Sequence, residues 1–68
     1  MTEIMKKIYD SMEKGRLYTL DELTAINSTL EKKVVKVNTG VLLYTGVIEK
    51  IIDLEIKQNF YRKPIDKQ

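Results

Sequence analysis

Two aromatic side chains lie among cations near the C-terminal end of the sequence. Phe60 and Tyr61 are adjacent, and basic or amide residues flank them on both sides. Ring faces stack on unpaired nucleobases at roughly 1–3 kcal/mol per base, and neighbouring cations contact phosphates. The predicted nucleic-acid contacts of this segment are Lys57, Asn59, Phe60, Tyr61, Arg62 and Lys63. The alternative is an ordinary strand, in which one ring closes the core and the other packs on the surface.

Three lysines form a second basic cluster, at Lys32, Lys33 and Lys36. On a helix Lys32 and Lys36 share one face, opposite an apolar stripe that runs from Leu30 to Val37. This geometry can grip a phosphate backbone, so the three lysines are further candidates for contact with nucleic acid. The alternative is a solvated polar face, which lysine commonly covers.

The composition excludes several kinds of catalytic and metal-binding site. The chain has no cysteine and no histidine, which excludes disulfides, thiolate or imidazole metal sites and the common pairings of nucleophile and base. Acidic residues are scattered singly, without the pattern of a calcium-binding loop. We therefore expect no catalytic residue, no metal, no cofactor and no small-molecule substrate. Tyr9, Tyr18 and Tyr44 lack such partners and are interpreted as core or rim aromatics.

Positive charge is concentrated in the second part of the chain. Residues 1–27 hold four basic and five acidic residues, whereas residues 28–68 hold eight basic and five acidic ones. Phosphate contacts are therefore expected in residues 28–68. The first seven residues lack the apolar core of a signal peptide, and no apolar run approaches the ~20 residues of a membrane span. These features predict a cytoplasmic protein without a membrane partner.

The spacing of apolar residues predicts the first elements of a single domain that spans residues 1–68. Met1, Met5, Ile8 and Met12 recur at spacings of four and three, which predicts a first helix that ends at Gly15. The segment Tyr18-Thr19-Leu20-Asp21-Glu22-Leu23 then predicts a helix start. Thr19 and Glu22 form a capping box, and Tyr18 and Leu23 form a hydrophobic staple.

The C-terminal end of the second helix has two interpretations. Apolar residues continue at helical spacing, which favours one extended helix with a kink near Asn27, ending at Asn38-Thr39-Gly40. The alternative breaks the helix at Asn27-Ser28-Thr29. In that case Ser28 and Glu31 would form a second capping box, and the β-branched valines that follow would weaken a helix.

The remaining residues predict a buried helix and a short β element. Residues 41–54 contain the stripe Leu43, Val47, Ile51 and Leu54, so they are predicted to form the central helix. Within it, Gly46 either permits a close helix contact or marks a later helix start. Residues 56–64 are predicted to form a strand or hairpin that ends at Pro64, and residues 65–68 a frayed tail.

The order of these elements resembles the winged helix-turn-helix family. The resemblance rests on the first helix with Gly15, the lead-in Arg16-Leu17-Tyr18, the capped helix from Thr19, the apolar segment 47–54 and the aromatic, basic strand after it. It implies a mainly α fold, a three-helix winged helix-turn-helix-like domain with a short C-terminal β strand or wing. The chain departs from the family at Glu55, where a glycine is common, and in an apparent insertion at residues 28–38.

The resemblance implies DNA binding without catalysis. The predicted third helix offers Tyr44, Thr45, Glu49 and Lys50 but few side chains that read base edges, so single-stranded or non-specific DNA is favoured over a defined operator. The chain is also similar to small accessory proteins of mobile genetic elements, which implies a role in DNA replication. The alternative function is that of a protein-protein adaptor or subunit, in which apolar helix surface binds a larger replication enzyme or a second copy of the chain.

Overall fold

Three helices precede a β-hairpin in this chain. The computed structural model describes residues 1–65 and contains α1 (Glu3–Asp10), α2 (Leu20–Ile26), α3 (Lys32–Thr45), β1 (Glu49–Asp53) and β2 (Gln58–Arg62). The prediction of three helices with a C-terminal β element is confirmed, although the paired strands make the fold mixed α and β. Residues 66–68 of the predicted frayed tail lie outside the described residues. Ile65 is described and lies against Gly15.

The first helix buries Met5 and Ile8 of the predicted stripe but is shorter than predicted, since Met1 precedes it and is exposed and Met12 is buried just beyond its end. Thr2 caps its start by accepting a hydrogen bond from the Met5 amide at 3.3 Å, and Met5 and Ile8 are buried. The helix ends at Asp10, because the Ser11 hydroxyl donates to the Ile8 carbonyl at 2.6 Å and the chain then turns towards β2. Gly15 lies in that turn, where its left-handed φ of 79° brings its amide to the Lys63 carbonyl at 3.2 Å.

The start of the second helix is confirmed in atomic detail. The Thr19 hydroxyl accepts from the Glu22 amide at 3.1 Å, and the Glu22 carboxylate accepts from the Thr19 amide at 2.8 Å. Tyr18 and Leu23, the predicted staple, are both buried in the core. Local sequence therefore determines where α2 begins.

The predicted extended second helix is wrong. Helix α2 ends at Ile26, and Asn27 is its C-cap. The buried Asn27 amide group donates to the Leu23 carbonyl at 2.9 Å and to the Ser11 hydroxyl at 3.1 Å, which ties this end of α2 to α1. The alternative, a break after Asn27, is confirmed. The second capping box, which that alternative predicted at Ser28 and Glu31, is wrong. Glu31 is the N-cap of α3 and makes no side-chain capping bond.

The third helix occupies residues that were assigned to two separate elements. It continues through the predicted stop at Asn38-Thr39-Gly40 and ends at Gly46, whose φ of 83° is left-handed. Burial of Val35, Thr39 and Leu42 outweighs the ~1 kcal/mol by which a glycine weakens a helix interior. The predicted central helix over residues 41–54 is therefore wrong, and Gly46 is a C-cap instead of a contact point.

The hairpin replaces the second half of that predicted helix. Strands β1 and β2 pair antiparallel, with Ile51 opposite Phe60 and Glu49 opposite Arg62. The β-branched residues from Val47 to Ile52 fit both a helical stripe and a strand, and pairing with β2 decides for the strand. The predicted C-terminal strand is confirmed as β2. In the turn between the strands, the Asp53 carboxylate accepts from the Glu55 amide at 3.0 Å.

The core joins all three helices to the base of the hairpin. Its buried apolar residues are Met5, Ile8, Met12, Tyr18, Leu23, Val35, Leu42 and Ile48. Tyr18 and Tyr61 exchange two backbone hydrogen bonds, so the loop between α1 and α2 lies alongside β2. This arrangement leaves one long side of α3 and the tip of the hairpin exposed.

Candidate nucleic-acid interface

The nine residues predicted to contact nucleic acid fall into three regions of the fold. Lys32, Lys33 and Lys36 lie in the first turns of α3, and Lys57 lies in the hairpin turn. The other five, Asn59, Phe60, Tyr61, Arg62 and Lys63, lie on or just after β2. Five of the nine are exposed, namely Lys32, Lys33, Lys36, Lys57 and Asn59.

The cations at the end of β2 are engaged within the protein. The Arg62 guanidinium pairs with the Glu49 carboxylate on the opposite strand. The Lys63 ammonium lies over the Tyr9 ring, 4.1 Å from its centroid, in a cation–π contact. Neither cation is presented freely to a phosphate, so their binding role would require these contacts to break.

The two rings of β2 are half-buried and do not form an open platform. Tyr61 packs against the core cluster, and its backbone is bound to Tyr18. Phe60 lies opposite Ile51 in the sheet. This placement is close to the ordinary-strand alternative, except that both rings are partly covered instead of one being buried and the other exposed.

The lysines of α3 differ from one another in their surroundings. Lys32 pairs with Asp21 at 2.8 Å, and both side chains are mostly exposed. Exposed ion pairs contribute only about 0–1 kcal/mol, so a phosphate could compete for Lys32. Lys33 and Lys36 form no ion pair with any residue in the described range 1–65, and both project from the side of α3 that lies away from α1 and α2.

That exposed side of α3 is the most distinct surface of the fold, and we term it the third-helix face. It consists of Lys33, Lys36, Val37, Gly40, Val41 and Tyr44, all exposed. At 100° per residue these six positions occupy a continuous arc of about 140°, and they extend about 16 Å along the axis. No aspartate or glutamate occurs in residues 32–45, so the whole face is free of carboxylates.

Val37 was predicted to lie in an apolar stripe, and Tyr44 was interpreted as a core or rim aromatic on the predicted third helix; both belong to the third-helix face. Tyr44 is 92% exposed and Val37 is 62% exposed. The exposure of Val37 was missed because the predicted stripe through this residue is turned from the buried positions of α3, which are Val35, Thr39 and Leu42. The available signal was the run of fourteen residues with three lysines and no acidic residue.

A second exposed apolar surface lies at the hairpin tip, which we define as Ile52, Leu54 and Ile56. Leu54 is 82% exposed, and the other two side chains are more than half exposed. Lys50 and Lys57 are also exposed nearby in the hairpin, together with Glu55. The tip therefore has mixed charge around a small aliphatic cluster, unlike the third-helix face.

Charge elsewhere on the surface is mostly compensated. The Asp10 carboxylate accepts a hydrogen bond from Lys6 and attracts it, which raises the pKa of the Lys6 amine. Arg16 pairs with Glu13 and lies 5.0 Å from the centroid of the Tyr18 ring. Within residues 1–65, no three acidic side chains gather into a group that could hold a metal ion. No helix in the described range is long and apolar enough to cross a membrane.

Comparison with protein-family models, with curated proteins and with solved structures finds no significant match to this chain.

Proposed function

We propose that this chain is a small, non-enzymatic accessory domain that binds DNA through the third-helix face. The observation that carries the proposal is the pairing of exposed Lys33 and Lys36 with the complete lack of acidic residues along α3. A carboxylate on such a face would repel phosphates at close range. Its absence from α3 leaves the third-helix face favourable to a polyanion, whereas Lys32 at the start of the helix pairs with Asp21.

The mechanism would be electrostatic capture. Lysines that contact phosphates release condensed counterions from DNA, which supplies affinity without reading the sequence. The third-helix face contains no Arg, Asn or Gln, the residues that bind base edges most selectively. The side-chain amide of Asn38, also on α3, donates to the Val34 carbonyl at 2.8 Å. Single-stranded or non-specific DNA is therefore favoured over a defined operator.

We also propose a winged helix-turn-helix-like arrangement, in which α3 is the DNA-facing helix and the hairpin is the wing. The order of the elements supports this assignment: α1, then the loop in which Tyr18 pairs with Tyr61 of β2, then α2, α3 and the hairpin. Because α3 begins at Lys32, residues 28–31 form a short loop, and the insertion suspected from the sequence is not needed. A cytoplasmic role in the replication of a mobile genetic element rests on the sequence resemblance alone.

A direct binding measurement tests the proposal. Fluorescence anisotropy with labelled single- and double-stranded oligonucleotides should detect binding at low salt, and the affinity should fall steeply as salt rises. Lack of binding to both oligonucleotides at low salt would eliminate the proposal. Tight binding that barely responds to salt would contradict electrostatic capture.

The second candidate function is that of an adaptor that binds a larger protein or another copy of itself. The exposed aliphatic cluster at the hairpin tip favours it, because Leu54 and Ile56 are mostly exposed and do not belong to the core cluster of residues 1–65. Replacing both by serine should leave the fold intact and reduce any concentration-dependent self-association seen by sedimentation velocity. An unchanged monomer at all concentrations would remove the version that involves a second copy.

A further inference from the structure

Gly40 occupies the middle of α3 without an intramolecular reason to be glycine. Its backbone is helical, because it lies within α3. Unlike Gly15 and Gly46, it does not have a positive φ. A Cβ atom added at Gly40 would meet nothing within 4 Å. Alanine is the better residue in a helix interior, so the fold of the isolated chain would be more stable without this glycine.

Gly40 also lies at the centre of the third-helix face. Lys33 and Lys36 lie on its N-terminal side, and Tyr44 lies one turn further towards the C-terminus. Val37 and Val41 flank it, so the surface is low at Gly40 and bounded by methyl groups and the tyrosine ring. A helix position without a side chain lets another backbone approach the helix main chain closely.

We infer that Gly40 is the point of closest approach between α3 and a bound DNA duplex, and that a side chain at this position would hold the DNA away from the lysines. The inference rests on the proposed function and names its substrate as double-stranded DNA. The charge of the face favours DNA over a second copy of the chain, since the same face of a partner copy has no carboxylate that could compensate Lys33 and Lys36.

The shape of the site favours a duplex over a single strand. A convex helix about 10–12 Å in diameter matches the major groove, which is about 12 Å wide. A single strand instead needs a series of exposed rings, and here Tyr44 is the exposed one, because Tyr18 is buried and Tyr9, Phe60 and Tyr61 are partly covered.

Substitution of Gly40 separates stability from binding. Gly40→Ala should raise the melting temperature by about 4 °C or more, because it removes an unfavourable helix residue without a clash. The same variant should weaken duplex binding about fivefold or more, because an extra methyl at a close contact overpacks it. Gly40→Leu should keep the helix and weaken duplex binding further, while single-strand binding changes less.

The matched control is Ala25→Leu, which places the same leucine side chain at an exposed position of α2 outside the third-helix face. It should leave duplex affinity unchanged. The inference would be overturned if Gly40→Ala and Gly40→Leu bound the duplex as tightly as the wild-type chain. It would also be overturned if these variants lost as much affinity for single strands as for the duplex. Loss of a dimer in sedimentation velocity would assign the face to a second copy instead.

The outcomes also separate this inference from the proposed function. If Lys33→Gln with Lys36→Gln weakens duplex binding and the Gly40 variants do not, the proposed function is supported, and the inference that Gly40 closely approaches the duplex is refuted. If the wild-type chain binds single-stranded DNA but no duplex, the inference about Gly40 is refuted, and the broader proposal of DNA binding is still supported.

Discussion

Tyr18 and Tyr61 exchange two backbone hydrogen bonds, of 2.8 and 2.7 Å, and so join the loop before α2 to the second strand of the hairpin. The Tyr18 ring is buried, and its hydroxyl accepts a hydrogen bond from the Glu13 amide at 2.7 Å. One residue thereby connects the turn after α1, the core and the sheet. This connection holds the hairpin in a fixed position relative to the three helices.

Tyr18→Phe should destabilise the protein although it removes a single oxygen atom. The Glu13 amide would lose its acceptor in a partly buried site, which costs about 1–2 kcal/mol. For a domain of this size, that loss lowers the melting temperature by roughly 4–8 °C per kcal/mol. Thermal unfolding followed by circular dichroism measures the change. A melting temperature equal to that of the wild-type protein would show that the hydroxyl contributes nothing.

The two capping boxes expected from the sequence should respond differently to mutation. Thr19→Ala removes a box that is formed and should cost about 1 kcal/mol, whereas Thr19→Ser keeps the oxygen and should cost much less. Ser28→Ala should be neutral, because Glu31 is the N-cap of α3 and Ser28 is exposed. Urea unfolding of the three variants gives the comparison. A large effect of Ser28→Ala would contradict the observed start of α3.

Asn27 should be critical for the break between α2 and α3. Asn27→Ala removes one buried hydrogen bond, to the Leu23 carbonyl, and one partly buried hydrogen bond, to Ser11, and should destabilise the fold by about 1–3 kcal/mol. Denaturant midpoints of Asn27→Ala and of the exposed neighbour Thr29→Ala provide the test, although Thr29 also accepts a hydrogen bond from Lys7. Equal midpoints for Asn27→Ala and the wild-type protein would refute a structural role of the amide.

These results explain which parts of the fold could be predicted from the sequence. The Thr19 capping box depends on residues three apart, so its signal is local and the prediction was correct. The end of α2 depends on a hydrogen bond from Asn27 to Ser11, sixteen residues earlier, which no short window reveals. The segment from Val47 to Ile52 fits both helical and strand spacing, and its pairing with residues 58–62 decides between them.

The candidate site was predictable only in part, for a related reason. The three lysines of α3 were identified because they are close in sequence. The exposure of Val37 was missed because it depends on which side of α3 packs against α1 and α2. Arg62 and Lys63 were expected to face DNA, but their partners Glu49 and Tyr9 are brought to them by the sheet and by α1.

Tyr44 and Tyr61 should respond in opposite ways to truncation. Tyr44→Ala should weaken DNA binding and leave the melting temperature near that of the wild-type protein, because the ring is exposed. Tyr61→Ala should lower stability by about 2 kcal/mol or more, because its ring packs on the core. Anisotropy and thermal unfolding of both variants distinguish the roles. Normal stability of Tyr61→Ala with lost single-strand binding would restore Tyr61 as a stacking platform.

The most direct measurement is the salt dependence of DNA affinity in two double variants of equal charge. Lys33→Gln with Lys36→Gln alters the third-helix face, whereas Lys6→Gln with Lys7→Gln alters α1. The first pair should weaken binding and reduce the slope of log affinity against log salt by about 2, or about 1 per phosphate contact, and the second pair should change neither markedly. Equal effects of the two pairs, or no effect of the first, would contradict DNA binding by α3.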